Sequence, residues 1–194
     1  MIKSRCAWCG EDPLYVDYHD QEWGVPVFSD DKLFEFLVLE TFQAGLSWIT
    51  ILRKRENFRL AFDNFNYQKI ATYDEKKYNT LLLDAGIIRN KLKIRATIGN
   101  AQAFIKLQKE HGSFSNYFWQ FSNQKPIVNQ RQSLQQVPAT TPLSDTISKN
   151  LKKEGFKFVG STVVYAYMQA VGMVNDHTTD CFRYKEIEAA QQGH

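Results

Sequence analysis

The sequence predicts an all-α domain, and three observations predict it. Apolar residues recur at helical spacing through most of the chain. Those segments start at capping residues and stop at glycines. Alternating strand patterns are rare, and no internal repeat or low-complexity tract interrupts the chain. At 194 residues the chain has the length of one large domain, with room for two helical lobes and a continuous core.

Residues 1–28 read as irregular, with Gly10, Pro13, Gly24 and Pro26 among aromatics. Ser29 or Asp30 can cap a first helix carrying Leu33, Phe34, Phe36, Leu37, Leu39 and Phe42, which Gly45 ends. A second helix runs from about Ser47 to Phe62 and holds the basic group Arg53, Lys54 and Arg55. Asp74 caps a third, which holds Leu81, Leu82 and Leu83 and stops at Gly86. A long helix spans about Arg89 to Glu110 and is closed by Gly112; its apolar stripe includes Ile94, Ile98, Phe104 and Leu107. Residues 113–122 are aromatic and compatible with a short helix, and 123–143 read as a long loop holding Pro126, Pro138 and Pro142. Ser144 opens a helix to Glu154, stopped by Gly155, and another from about Ser161 to Val171 lies between Gly160 and Gly172. The domain is expected to extend to residue 185, with 186–194 a polar, mobile tail.

Net charge is +3, which permits nucleic-acid binding without demanding it. Aromatic residues reach 14%, and such rings fill cores but also stack on bases. No apolar run has membrane-spanning length, and the start lacks a signal-peptide stretch. Three cysteines, Cys6, Cys9 and Cys181, argue against a closed disulfide framework. A reducing cytoplasm is the simplest home, and there clustered Cys and His more often mean metal or catalysis.

Cys6 and His19 lie near the start, and His177 and Cys181 sit four residues apart near the end. One helical turn would point the second pair the same way. Together they form a Cys2His2 set, which suits tetrahedral zinc and excludes hard cations such as magnesium. Four protein ligands leave no open position, so such a metal would staple the chain ends. Unrelated buried residues, a Cys6-x-x-Cys9 pair or a catalytic Cys–His pair fit the spacing too.

Glu40 follows Phe36 by one turn and Leu33 by two, on or beside the apolar stripe. Most glutamates are solvated, but a buried one is costly unless paired and is often functional. Tyr15, Tyr18 and Trp23 crowd the N-terminal segment, and Trp48 follows the Glu40 helix. These rings either fill the core or wall a flat pocket with one carboxylate in it. The turn from Gly155 to Ser161, with Lys152, Lys153 and Lys157 nearby, is either a solvated connection or a phosphate-binding hairpin. A second basic patch, Arg89, Lys91, Lys93 and Arg95, is equally open.

Longer stretches narrow these choices. They are Arg5-Cys6-Ala7-Trp8, residues 12–26, Leu39-Glu40-Thr41-Phe42-Gln43-Ala44-Gly45-Leu46-Ser47-Trp48, Asp84-Ala85-Gly86-Ile87-Ile88-Arg89, Gly155-Phe156-Lys157-Phe158-Val159-Gly160, and Val174-Asn175-Asp176-His177 with Cys181. In this order and spacing, from roughly Arg5 to Tyr184, the chain resembles the bacterial DNA-3-methyladenine glycosylase I (Tag) family. The resemblance implies an all-α helix-hairpin-helix glycosylase with one structural zinc, held by Cys6, His19, His177 and Cys181 and leaving Cys9 out. It places the base pocket on Glu40, Tyr18 and Trp48, with Tyr15, Trp8 and Trp23 near, and makes Glu40 the candidate catalytic group. It places DNA contacts on Phe156, Lys157, Phe158, Val159, Gly160 and Ser161. Thr41 stands where the family carries glycine, the hairpin lacks the Leu-Pro-Gly opening of the wider superfamily, and Asp176 is not assigned as catalytic. The implied activity is hydrolysis of the N-glycosidic bond of 3-methyladenine in alkylated double-stranded DNA. Free base and an abasic site would result, without strand cleavage, from a cytoplasmic monomer that engages no membrane. A metal-stapled DNA-binding module without chemistry and a thiol enzyme using Cys9 or Cys181 are the competing readings.

Overall fold

The computed structural model describes residues 3–43 and 45–192, with side chains through residue 189. Ten helices form the frame among these residues: α1 (Pro13–Gln21), α2 (Asp30–Gln43), α3 (Trp48–Ala61), α4 (Tyr67–Ile70), α5 (Glu75–Leu83), α6 (Lys91–His111), α7 (Phe114–Trp119), α8 (Pro142–Lys153), α9 (Ser161–Ala170) and α10 (Phe182–Gln192). A two-residue parallel pair, β1 (Ile127–Val128) with β2 (Val174–Asn175), is the one sheet among them. No helix of the described residues is long and apolar enough to cross a membrane.

Helix α2 is the axis of the core. Every residue from Leu33 to Phe42 is buried, because α3, α6, α7 and α9 pack around it. A helix enclosed on all sides has no solvent face, so Glu35 and Glu40 are carried inside with their apolar neighbours. Asp30 does not cap α2 as the sequence reading allows. Ser29 offers its carbonyl to Leu33 N, while the Asp30 carboxylate accepts from the backbone N–H groups of Phe114 (2.9 Å) and Ser115 (2.8 Å). The first acidic residue of α2 thus caps α7, which favours negative charge at its N-terminus.

Two further expectations are corrected. Residues 1–28 are not wholly irregular: Asp12 accepts from Leu14 N, Pro13 takes the first helical position, and α1 follows. Helix α8 begins at Pro142 rather than Ser144, through a capping box between Thr141 and Ser144. The backbone is helical through Gln192; the stretch read as a tail, 186–194, also includes residues 193 and 194, which lie outside the described residues.

The chain ends meet at one crossing. Gly24 N donates to Gln169 O and Val27 N to Val171 O, both at 3.0 Å, laying the N-terminal segment against the end of α9. Gly172 makes this approach feasible: its φ is +71° and a Cβ there would lie 2.3 Å from the Val25 carbonyl carbon.

Candidate active site and metal-ligand cluster

A cavity of about 210 Å³ opens beside α2. One wall is Trp8, Tyr15, Tyr18, Trp23 and Trp48; the other is Leu134, Val137, Ala166, Gln169 and Thr178. Glu40, Gln43 and Asp176 also line it. This is smaller than the roughly 300–1,000 Å³ of drug-sized pockets, and of a size for one flat ring system. Ring centroids lie 5.0 Å apart for Trp8 and Tyr15, 4.9 Å for Trp8 and Trp23, and 5.4 Å for Tyr18 and Trp48. All six pocket residues named from the sequence therefore line one space.

Glu40 is the unusual member. It is 3% exposed, and its Oε2 has no hydrogen-bond partner. Burial pushes its carboxyl up to about 8. The indole N–H groups of Trp8 and Trp48 are likewise buried and unpartnered. A carboxyl oxygen and two N–H donors without partners, on the wall of an aromatic cavity, are a demand for a polar, flat ligand.

Asp176 is held in the opposite way. Its Oδ2 accepts from Tyr165 Oη (2.5 Å) and Gln169 Nε2 (2.9 Å), and its Oδ1 from Asn129 Nδ2 (2.7 Å) and, at 3.5 Å, Arg131 Nε. These bonds pin the segment carrying Leu134 and Val137 against α9.

Next to the aromatic wall, Cys6, His19, His177 and Cys181 are all buried, with their ligand atoms within 4.8 Å of one another. Cys9 is not among them; its thiol lies 3.8 Å from the Gly10 carbonyl. His177 Nε2 faces the Trp23 carbonyl at 3.0 Å. A carbonyl only accepts, so the proton sits on Nε2. That leaves the Nδ1 lone pair toward Cys6 Sγ (3.4 Å) and Cys181 Sγ (3.5 Å). His19 Nδ1 donates to Asp20 Oδ1 at 2.8 Å, freeing Nε2 toward Cys181 Sγ at 3.5 Å. Arg5 bonds Asp20 and holds that carboxyl down at about 2. A carboxylate orienting one histidine and a carbonyl orienting the other are the usual outer partners of metal-bound imidazoles. Contact with Cys181 and burial push the Cys6 thiol up, while contact with Cys6 and both imidazoles pulls Cys181 down. A bound cation would favour the thiolate form of both sulfurs. The donor set fits a metal ion.

The cluster and the cavity share a wall. Trp8 packs 5.3 Å from His19, Trp23 packs 4.6 Å from His177, and Cys6 and Thr178 line the cavity.

The turn between α8 and α9 is held rigidly. Asn100 of α6 accepts from Lys157 N (2.8 Å) and donates to Lys157 O (3.0 Å), and Ser148 Oγ donates to Val159 O (2.6 Å). Phe156 and Val159 are buried, so their side chains anchor the turn instead of facing a ligand. Lys157 and Phe158 are exposed, and Phe158 has a φ of +58°, rare for a non-glycine residue. No side chain caps the first turn of α9 at Gly160. The basic patch after Gly86 is partly structural: Lys93 is buried and donates to Phe42 O (2.9 Å), and Arg95 pairs with Glu75 over the Tyr78 ring.

A profile of the family described as "Methyladenine glycosylase" matches residues 8–184. The chain belongs to this family. The DNA-3-methyladenine glycosylase 1 of Escherichia coli is 50% identical over 180 residues, 93% of this chain and 96% of that protein. The DNA-3-methyladenine glycosylase of Haemophilus influenzae is 47% identical over 93% of this chain and 97% of its own length. A crystal structure of 3-methyladenine DNA glycosylase I superposes with a TM-score of 0.90 at 50% identity, covering 92% of this chain and 98% of that one. A variant of 3-methyladenine DNA glycosylase I in complex with 3-methyladenine superposes with a TM-score of 0.89 at 34% identity, covering 92% of this chain and 96% of that one.

Sequence reasoning missed the second wall. Gln43 is one turn past Glu40 and was findable from helical spacing. Leu134, Val137, Ala166, Gln169 and Thr178 come from segments with no shared pattern, and only the fold brings them together.

Proposed function

We infer that this chain hydrolyses the N-glycosidic bond of 3-methyladenine in alkylated double-stranded DNA, releasing the free base and leaving an abasic site. One observation carries the reading: Glu40 presents an unpartnered, buried carboxyl oxygen inside an aromatic cavity sized for one base. Methylation at N3 makes adenine cationic in the nucleotide, which weakens its bond to the sugar. The protein therefore has to recognise the cation and exclude alternatives more than to protonate a leaving group.

The damaged nucleotide leaves the stack, and its poor pairing lowers the cost. Tyr18 and Trp48, with Trp8, Tyr15 and Trp23 around them, offer π faces to the cation, worth roughly 0.5–2 kcal/mol per contact. Glu40 accepts a hydrogen bond from the exocyclic amine, and such charge-assisted bonds are about twice as strong as neutral ones. As the bond breaks, positive charge moves toward the sugar, and the Glu40 carboxylate is the unpaired anion beside it. Water completes hydrolysis. No residue is assigned to strand cleavage.

The metal is proposed as one structural zinc per chain, bound by Cys6, His19, His177 and Cys181. When bound it supplies a fixed cross-link between the chain ends. The α8–α9 turn, Phe156, Lys157, Phe158, Val159, Gly160 and Ser161, is proposed as the helix-hairpin-helix DNA contact. The Phe156 and Lys157 N–H groups are taken by Leu151 and Asn100, so the contact is assigned to the backbone N–H groups from Phe158 to Ser161, with the Lys157 side chain adding charge. Buried Phe156 and Val159 support it from beneath. The working form is proposed as a cytoplasmic monomer.

The test is incubation of the protein with methylated duplex DNA, followed by chromatographic identification of the freed base. Release of 3-methyladenine with intact strands is expected. Absence of any freed base would end the reading.

A further inference from the structure

Outside the cavity, one buried charge cluster has no role in this mechanism. Arg55 of α3 donates from Nη1 and Nη2 to the two oxygens of Glu22, at 2.7 and 2.9 Å, and from Nε to Glu35 Oε1 at 2.8 Å. Glu35, buried in α2, also accepts from Arg59 Nη2 and Lys32 Nζ, both at 2.9 Å. The Arg55 side chain is 12% exposed. Its guanidinium carbon lies 5.3 Å from the Phe36 ring centre, and that ring lies 6.5 Å from Tyr18.

The cluster joins the three helices that deliver the base recess. Glu22 is the C-cap residue of α1, and its N–H bonds the Tyr18 carbonyl at 3.0 Å. Glu35 precedes Glu40 on α2, and Arg55 lies two turns after Trp48 on α3. One planar guanidinium with a fixed fork of donors touches all three elements. Stability is weak grounds for such a cluster, since well-packed apolar residues often stabilise a core as well or better. Geometry is the stronger one.

We propose that Arg55 is a positioning residue for base excision: through Glu22 and Phe36 it fixes Tyr18 of α1 relative to Glu40 and Trp48. The proposal rests on the cavity being the base recess. Glu22→Gln removes one charge of the fork at a partly exposed position, and Arg55→Lys keeps the charge but loses the fork. Each should weaken binding of free 3-methyladenine and lower kcat/KM about tenfold, as small misplacements do. Circular dichroism should be unchanged. In a Tyr18→Leu background, Glu22→Gln should add no further loss, because the ring it positions is gone. Arg59→Gln, which touches Glu35 but not α1, should stay within about twofold of wild type. The proposal is overturned if Glu22→Gln and Arg55→Lys match wild type in base affinity. It is also overturned if Arg59→Gln costs as much as Glu22→Gln, or if the Glu22→Gln loss persists without Tyr18. Wild-type protein that neither binds nor releases 3-methyladenine would instead sink the recess itself.

Discussion

At the scale of single residues, the role proposed for Glu40 can be tested by titration. An ordinary glutamate titrates near 4.3, whereas burial pushes Glu40 up to about 8. Between those values the folded protein holds a proton that the unfolded chain has released, so stability falls as pH rises through that window. The span is worth on the order of a few kcal/mol. Glu40→Gln removes the titration, so its melting temperature should fall less than wild type's between pH 5 and 8; parallel curves would refute the assignment. A cationic base favours the carboxylate, so wild-type kcat/KM should rise with pH over the same window, by up to about tenfold per unit. The Gln variant should be flat and about ten- to a hundredfold slower at pH 8, and an unchanged rate would remove Glu40 from the mechanism. The acid was legible in the sequence because it breaks an apolar helix face. Other buried groups were less so: Asp30 read as one of two possible local caps and Lys93 as part of a basic patch of open role, yet their partners lie on distant helices.

At the scale of elements, the α8–α9 turn depends on a side chain from α6. Asn100→Ala removes both bonds to the Lys157 backbone, a loss of about 1–3 kcal/mol of local order. If this turn meets the phosphates, the variant should bind duplex DNA about tenfold more weakly irrespective of sequence, with free-base affinity unchanged. Equal DNA affinity would take the turn out of the interface. Long helices such as α2, α3 and α6 were readable from periodicity and caps. Two shorter ones were not: α1 hid among glycines and prolines although Asp12-Pro13 is a start signal, and α4 has four residues. The β1–β2 pair has two residues a side, too few to show alternation.

At the scale of the whole molecule, the cysteine–histidine cluster ties the first segment to the last. Cys181→Ser should lose bound metal, lower the melting temperature and weaken base binding together, because Trp8 and Trp23 pack on the two histidines. Metal analysis that finds full zinc occupancy in the variant would refute the ligand set. A chelator should do the same to wild type, and unchanged melting in its presence would argue against a staple. The ligand types were legible as a tetrahedral set, but spacing alone left several pairings open. The four side chains meet in one buried cluster, a juxtaposition that no local spacing announces. Cys6 and His177 stand 171 positions apart. The cavity likewise draws Cys6, Ala7 and Trp8 together with Gln169, Asp176 and Thr178, so a product clipped between these groups should lack one of its walls and bind no free base.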